Sequence, residues 1–375
     1  MKAMIVVTHL LGTGHLSRAL TLARAFLAAG DEVTVVSGGL PVPHFNTVGI
    51  GFEQLEPVRS NGVDFSTLLT ADGAEATPDM LLRREDQMLS ILRRIQPDIL
   101  MTELFPFGRR ILRQELQALL QAAKSMTPAP VVLSSIRDIL APPSKPKKVV
   151  FAEELVSRFY DGVLVHSDPD VVTLEHSWPV TAALQTKLCY TGYVAPPPPR
   201  LGGQLDQTVL VSAGGGSVGD ALFAAAIQAA SEMPQMQWRL FVGGAEARRG
   251  ALQAEAADNV TIEAPHPEFR QFLASAAASV SMAGYNTALD VMQTGVPAVL
   301  VPFDDGGEVE QGLRADALGQ MPGIAVLRQE SLDAATLARA VNDVITTGRR
   351  APRTQTMDGA RETVQIAHQL RKGAL

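Results

Sequence analysis

The chain has 375 residues, with 32 Lys and Arg against 39 Asp and Glu for a net charge of -7. At roughly 100–200 residues per domain, that is enough for two domains. Hydrophobic residues at 46% and charged ones at 19% exclude wholesale disorder, and the acidic balance excludes a protein that mainly coats nucleic acid. The single cysteine, Cys189, excludes an intrachain disulfide and a cysteine-rich zinc site. It fits a reduced thiol in the cytoplasm.

Met4 to Thr8 is a continuous apolar run of the kind found in strands buried on both faces. No apolar run approaches the roughly 20 residues that span a bilayer. The opening residues therefore read as a strand entering Gly12-Thr13-Gly14-His15, after which Leu16, Leu20, Ala23 and Leu27 recur at helical spacing. Gly30 suits a left-handed helix cap, and Val33 to Val36 forms the next buried strand. Asp98 to Thr102, Val131 to Ser134 and Gly162 to Val165 continue the strands, with helices expected around 79–96, 108–124 and 150–160. Lys145, Lys147 and Lys148, set among prolines, read as a charged loop.

Ala195 is followed by Pro196-Pro197-Pro198-Pro199, an extended segment that cannot continue a helix, and 196–206 is assigned as a linker. Beyond it, the strand, glycine-loop, helix and strand order of the first forty residues returns at Thr208 to Ser212, Gly214-Gly215-Gly216, Val218 to Ala230 and Trp238 to Val242. Strands at Ser279 to Met282, Ala298 to Val301 and Ile324 to Leu327 alternate with helices near 285–294, 309–319 and 332–346. This alternation implies open parallel sheets covered by helices, one in residues 1–195 and one in 207–350. The segment 351–375 reads as a helix returning to the first domain.

Gly12 to Ser17 does not complete a dinucleotide fingerprint. Ser17 replaces the third glycine, and Ser37-Gly38-Gly39 stands where a ribose-binding acid belongs. What remains is a backbone loop, Gly12, Thr13 and Gly14, opening onto a helix N-terminus, with His15 as a candidate general base. Glu103 and Asp138 each follow a strand at its C-terminal end and are candidates either for the base or for holding the His15 tautomer. Gly215, Gly216 and Ser217 form a second loop able to approach phosphates. Gly284, Tyr285, Asn286 and Thr287 begin a further helix, and Asp290 lies one turn beyond Asn286, where a carboxylate can accept two ribose hydroxyls. Asp304, Asp305 and Glu308 offer no complete ligand set, so no metal site is assigned. Phe105, Phe107, Ile111 and Leu112 beside Arg109, Arg110 and Arg113 fit either helix packing with solvated arginines or a basic, apolar surface for a membrane or lipid acceptor.

Together with Pro265 to Phe269, Gly295-Val296-Pro297, Val301-Pro302-Phe303 and Glu310-Gln311, these motifs resemble the donor half of GT-B glycosyltransferases. They are most similar to the peptidoglycan transferase group that uses UDP-GlcNAc. Thr102 to Arg110 and Arg137 to Leu140 extend the resemblance to a bacterial group of predicted members of this superfamily. The resemblance implies an α/β GT-B fold, two Rossmann-like parallel-sheet domains facing an interdomain cleft. It also implies transfer of a hexose-type sugar from a nucleotide sugar, UDP-linked by expectation, to a hydroxyl acceptor that could be lipid-linked at the inner face of a membrane. The transfer is expected to invert the anomeric centre without a metal or other cofactor. By position, Asp290 matches the family's ribose-binding glutamate, Gly284 and Thr287 its diphosphate helix start, His266 to Phe269 its nucleobase loop, and Gln311 a donor-sugar contact. Glu310 stands where the family commonly has a glutamine. The alternatives are a UDP-sugar hydrolase and a catalytically silent nucleotide-binding subunit.

Overall fold

The computed structural model of the protein describes residues 1–374 other than 44, 61–66, 202–204, 215–217 and 304–308. The chain divides into two compact units, Met1–Val194 with Asp358–Leu375, and Ala195–Met357. Among the described residues, no helix is long and apolar enough to cross a membrane.

In the first unit, β1 (Lys2–Val7), α1 (Gly14–Ala28), β2 (Glu32–Ser37), β3 (Gly51–Gln54), α2 (Pro78–Ile95) and β4 (Ile99–Glu103) are followed by α3 (Arg113–Lys124) and β5 (Val131–Arg137). Then come α4 (Pro146–Phe159), β6 (Gly162–His166), the short α5 (Ala182–Gln185) and β7 (Leu188–Tyr190). The strands pair in parallel in the order β3-β2-β1-β4-β5-β6-β7. Alternation of side chains along each strand sorts the apolar runs onto two faces. Met4, Val6, Leu100, Val132 and Val163 join one core with Met88, Leu119 and Phe159 of the helices. Ala3, Ile5, Met101, Leu133 and Leu164 join the other with Leu20, Ala23 and Phe26 of α1.

The second unit contains β8 (Thr208–Ser212), α6 (Asp220–Glu232), β9 (Gln237–Phe241), α7 (Glu246–Ala254), β10 (Val260–Glu263), α8 (Phe269–Ser275) and β11 (Ala278–Ser281). It continues with α9 (Tyr285–Thr294), β12 (Ala298–Leu300), α10 (Glu310–Leu318), β13 (Ile324–Val326) and α11 (Ala334–Thr347). Its sheet is also parallel, in the order β10-β9-β8-β11-β12-β13. The last helix, α12 (Gly359–Arg371), belongs to the first unit, where Val364, Ile366 and Ala367 enter the α1 core and His368 Nε2 lies 2.7 Å from Asp31.

Two expectations need correction. Lys147 and Lys148 lie in the first turn of α4, because Pro146 starts a helix where its missing N–H costs nothing. The segment assigned as a linker docks within the second unit: Arg270 donates to Pro197 O at 2.8 Å and Gln293 to Pro196 O at 3.0 Å. Of the two readings of Phe105, Phe107 and Leu112, core packing holds: they are 0%, 3% and 2% exposed.

Gly38 and Gly39, standing where a ribose acid would sit, serve close packing. A Cβ on Gly38 would lie 2.3 Å from Thr8 Oγ1, and one on Gly39 2.3 Å from His9 O. Gly39→Ala is therefore expected to destabilise the protein by about 1–3 kcal/mol through overpacking. At Gly12 a Cβ meets nothing within 4 Å, so in thermal melts Gly12→Ala should leave the midpoint unchanged while Gly39→Ala lowers it.

Candidate active site

Each sheet reverses its order of winding at one place, between β1 and β4 in the first unit and between β8 and β11 in the second. Ligands of open α/β sheets bind beyond the C-terminal strand ends at such points. The sequence places its glycine loops and most of its candidate side chains there.

In the first unit, strand parity decides which polar groups meet. Ile99 and Met101 face α1, so Glu103 at the end of β4 faces it too. Likewise Leu133 carries Ser135, and Leu164 carries His166, to that face. His15 is the second residue of α1, and its Nδ1 lies 2.9 Å from Glu103 Oε1. Arg18, one turn along, donates to the same oxygen. Ser135 Oγ donates to Glu103 Oε2 at 2.7 Å and lies 2.9 Å from His166 Nε2, while His166 Nδ1 lies 2.8 Å from Thr191 Oγ1. Burial would raise the Glu103 carboxyl, but Arg18, His15 and Ser135 hold it far below the usual carboxylate range. Beside an ionised Glu103, the hydrogen of His15 sits on Nδ1, and the lone pair of Nε2 is left as the basic site. Burial, opposed by the Glu103 hydrogen bond, lowers the His15 pKa to about 3, so the ring is neutral at pH 7.

The loop after β4 is fixed from below. The Phe105 carbonyl accepts from Ser134 Oγ at 2.8 Å, Thr102 Oγ1 at 3.1 Å and Tyr160 Oη at 3.2 Å. Asp138 is buried just beyond β5, and the hydrogen bonds that orient His15 run to Glu103 rather than to it. Sequence reasoning missed Arg18, Ser135 and His166. The available signal was their position: Arg18 one helical turn from His15, Ser135 in register with Glu103, and His166 on the same sheet face at the end of β6.

Gly12 and Gly14 leave open space where a side chain would be, as does Gly284 at the start of α9. Packing does not demand glycine at these three positions, and its effect is to leave helix-start amides uncovered.

The second unit has a cavity of about 290 Å³ beyond β8, β11 and β12, lined by Val218, Asp220, Met282, Val301, Phe303 and Gln329. Gly215, Gly216 and Ser217 lie outside the described residues, as do Asp304, Asp305 and Glu308. Tyr285, Asn286 and Thr287 form the first turn of α9. Below it, buried Arg314 of α10 donates to Ala283 O at 3.0 Å, with its guanidinium 5.8 Å from the Tyr285 ring centre. Arg314 was also missed, although it follows Glu310 and Gln311 by four and three residues, on the same helical face. Gln311 Oε1 accepts from Phe303 N at 3.2 Å, holding the chain after β12.

Asp290 is not solely a ligand group. Its Oδ1 accepts from Arg270 Nε at 2.6 Å, and burial raises its pKa despite that partner. His266 Nδ1 accepts from Glu268 N at 3.1 Å, and its ring lies 5.1 Å from Phe272. Phe269 meets Phe241 edge-on at 5.2 Å, and Arg239 stacks over Phe272 at 4.3 Å. The nucleobase loop expected at 266–269 thus rests on a packed aromatic cluster. Among the described residues, no group of three or more His, Cys, Asp or Glu is arranged to hold a metal.

Two parallel-sheet units of this topology, with glycine-opened helix starts at their switch points, have the GT-B fold. Residues 209–370 match the glycosyltransferase family 28 C-terminal domain. In structure, the chain is similar to MurG of Acinetobacter baumannii, at 16% identity and a TM-score of 0.64, covering 98% of this chain and 100% of that one. It is also similar to the calicheamicin glycosyltransferase CalG4 (18%, 0.63, covering 99% and 97%) and to the glycosyltransferase VinC in complex with dTDP (13%, 0.64, covering 100% of each). No curated protein sequence matches the chain.

Proposed function

We propose that the protein transfers a hexose-type sugar from a nucleoside diphosphate sugar, UDP-linked by preference, to a hydroxyl acceptor, with inversion at the anomeric carbon. The observation that carries the reading is His15, oriented through Nδ1 by an ionised Glu103 and placed at the first unit's switch point. In this mechanism His15 Nε2 removes the acceptor hydroxyl proton as the oxygen attacks the anomeric carbon. The bond from that carbon to the diphosphate oxygen breaks, and the nucleoside diphosphate leaves. The amides at the start of α9 and the positive end of its dipole take up the leaving charge, so no metal is required. The nucleobase lies against the 266–269 loop, and the free oxygen of Asp290 accepts from the ribose. The single reduced cysteine supports a cytoplasmic site of action.

The similar VinC structure contains dTDP, so the testing panel should include UDP- and dTDP-sugars, scored by thermal stabilisation and by the mass of any product. A hydrogen bond to a charged group contributes about 1.5–3 kcal/mol. Asp290→Ala is expected to weaken nucleotide binding about ten-fold or more in calorimetry. Unchanged affinity would remove Asp290 from the site. Arg270→Ala should give a smaller loss, because it disturbs Asp290 without removing the acceptor oxygen.

A further inference from the structure

Arg109 follows Glu103 by six residues, in a left-handed conformation (φ 56°). Its Nε donates to Thr8 O at 2.8 Å, which fixes the guanidinium beyond the end of β1. Both Nη groups lack a hydrogen bond or ion pair to any described residue. Burial lowers its pKa to about 10, and its charge acts on both His9 and His15. Glu103, the carboxylate in this group, is already engaged by Arg18, His15 and Ser135. Within the set His9, His15, Arg18, Glu103 and Arg109, one positive charge is left over.

His9 supplies a second, independent sign. It is 4% exposed, and neither ring nitrogen makes a hydrogen bond of ordinary geometry, although the ring lies beside the Gly39 and Leu40 backbone. The chain around it is well held, since Ser60 N donates to Leu10 O at 2.8 Å. A half-buried guanidinium with no counter-charge on its Nη groups and a buried imidazole without hydrogen bonds are both costly. An open guanidinium edge offers two parallel N–H groups that match the oxygens of a carboxylate or phosphate.

We propose that Arg109, with His9, forms an oxyanion subsite beside His15, and that the acceptor carries a carboxylate or phosphate near the hydroxyl it offers. The assignment of that anion to an acceptor rests on the glycosyl-transfer reading above.

The test titrates the full chain with acetate, inorganic phosphate and neutral acetamide, following the thermal midpoint and the histidine ring NMR signals. UDP is kept saturating so that the donor-side anion site is filled. Stabilisation by UDP itself tests the donor reading, and its absence would sink that reading while the anion titration still reports on Arg109. One oxyanion is expected to saturate in the wild type, raising the midpoint and shifting the His15 signal, at a concentration at least ten-fold lower than in Arg109→Gln. Whether acetate or phosphate does so separates a carboxylated acceptor from a phosphorylated one. Should Arg109→Gln fail to fold by circular dichroism, Arg109→Lys, which keeps the charge but not the fork, and His9→Gln are compared instead. A weakening of three-fold or more in either supports the subsite. Saturation by neither oxyanion in the wild type, an equal response in the variants, or acetamide matching acetate overturns it.

Discussion

Replacing His15 with alanine is expected to reduce turnover by about 10²–10⁴-fold, the usual contribution of a positioned general base, while nucleotide affinity stays within about two-fold. The separation follows from geometry: His15 and its partners Glu103, Ser135 and His166 belong to the first unit, and Asp290 and the start of α9, proposed to hold the nucleotide, belong to the second. Single-turnover rates measured beside calorimetric nucleotide binding would check it. Wild-type turnover in His15→Ala would end the assignment. Glu103→Gln should also lower turnover, by less, because an amide keeps the shape but not the charge that holds the hydrogen on Nδ1. The pH profile gives an independent reading. A His15 pKa lowered to about 3 leaves the neutral, basic form in place throughout the ordinary histidine range. The acid limb of kcat/KM should therefore lie well below the usual imidazole value of about 6.5, and the rate should be flat from about pH 5 to 8.

Arg84→Met should be the most destabilising single change, by about 3–5 kcal/mol. Arg84 is fully buried and binds Glu115 through two hydrogen bonds, Nε to Oε2 at 3.0 Å and Nη2 to Oε1 at 2.9 Å. Its Nη1 donates to the carbonyls of Gly38, at 3.1 Å, and Glu56. One side chain thus ties α2 to α3 and to the chain after β2 and β3. Methionine would leave the buried carboxylate and the Glu56 carbonyl without these donors, while Gly38 O would keep only Val58 N at 3.0 Å. Urea unfolding would measure the loss, and Arg84→Met combined with Glu115→Leu should recover much of it by removing the stranded charge. A loss below about 1 kcal/mol for the single variant would contradict this account, since it would match an ordinary exposed pair.

The central strands were legible because a strand buried on both faces is apolar throughout, as in Met4 to Val7 and Val163 to Val165. The strands that escaped notice, β3, β7 and β10, are the edge or near-surface ones. Gly51–Gln54 and Val260–Glu263 expose half or more of their residues at least partly, so their sequences carry polar groups and no long run. The α7 helix escaped for a related reason, as it buries none of its residues completely. His15 and Glu103 could each be singled out by position, but choosing Glu103 over Asp138 as the partner requires knowing which face of the sheet α1 covers. The Arg270–Asp290 pair joins positions 20 apart on different helices, a contact that periodicity cannot reveal.

The route of the chain has a consequence for synthesis. The first unit is interrupted after Val194 and resumes at Asp358, where these two residues form an isolated bridge and Gly359 N donates to Tyr193 O at 2.9 Å. On the ribosome, at ~5–20 residues per second, on the order of ten to thirty seconds separate the end of β7 from the arrival of α12. Throughout that interval the second unit is being made, and the first lacks the helix that covers Phe26 and its neighbours on α1. The nascent N-terminal half thus presents an apolar surface to chaperones until α12 has been made.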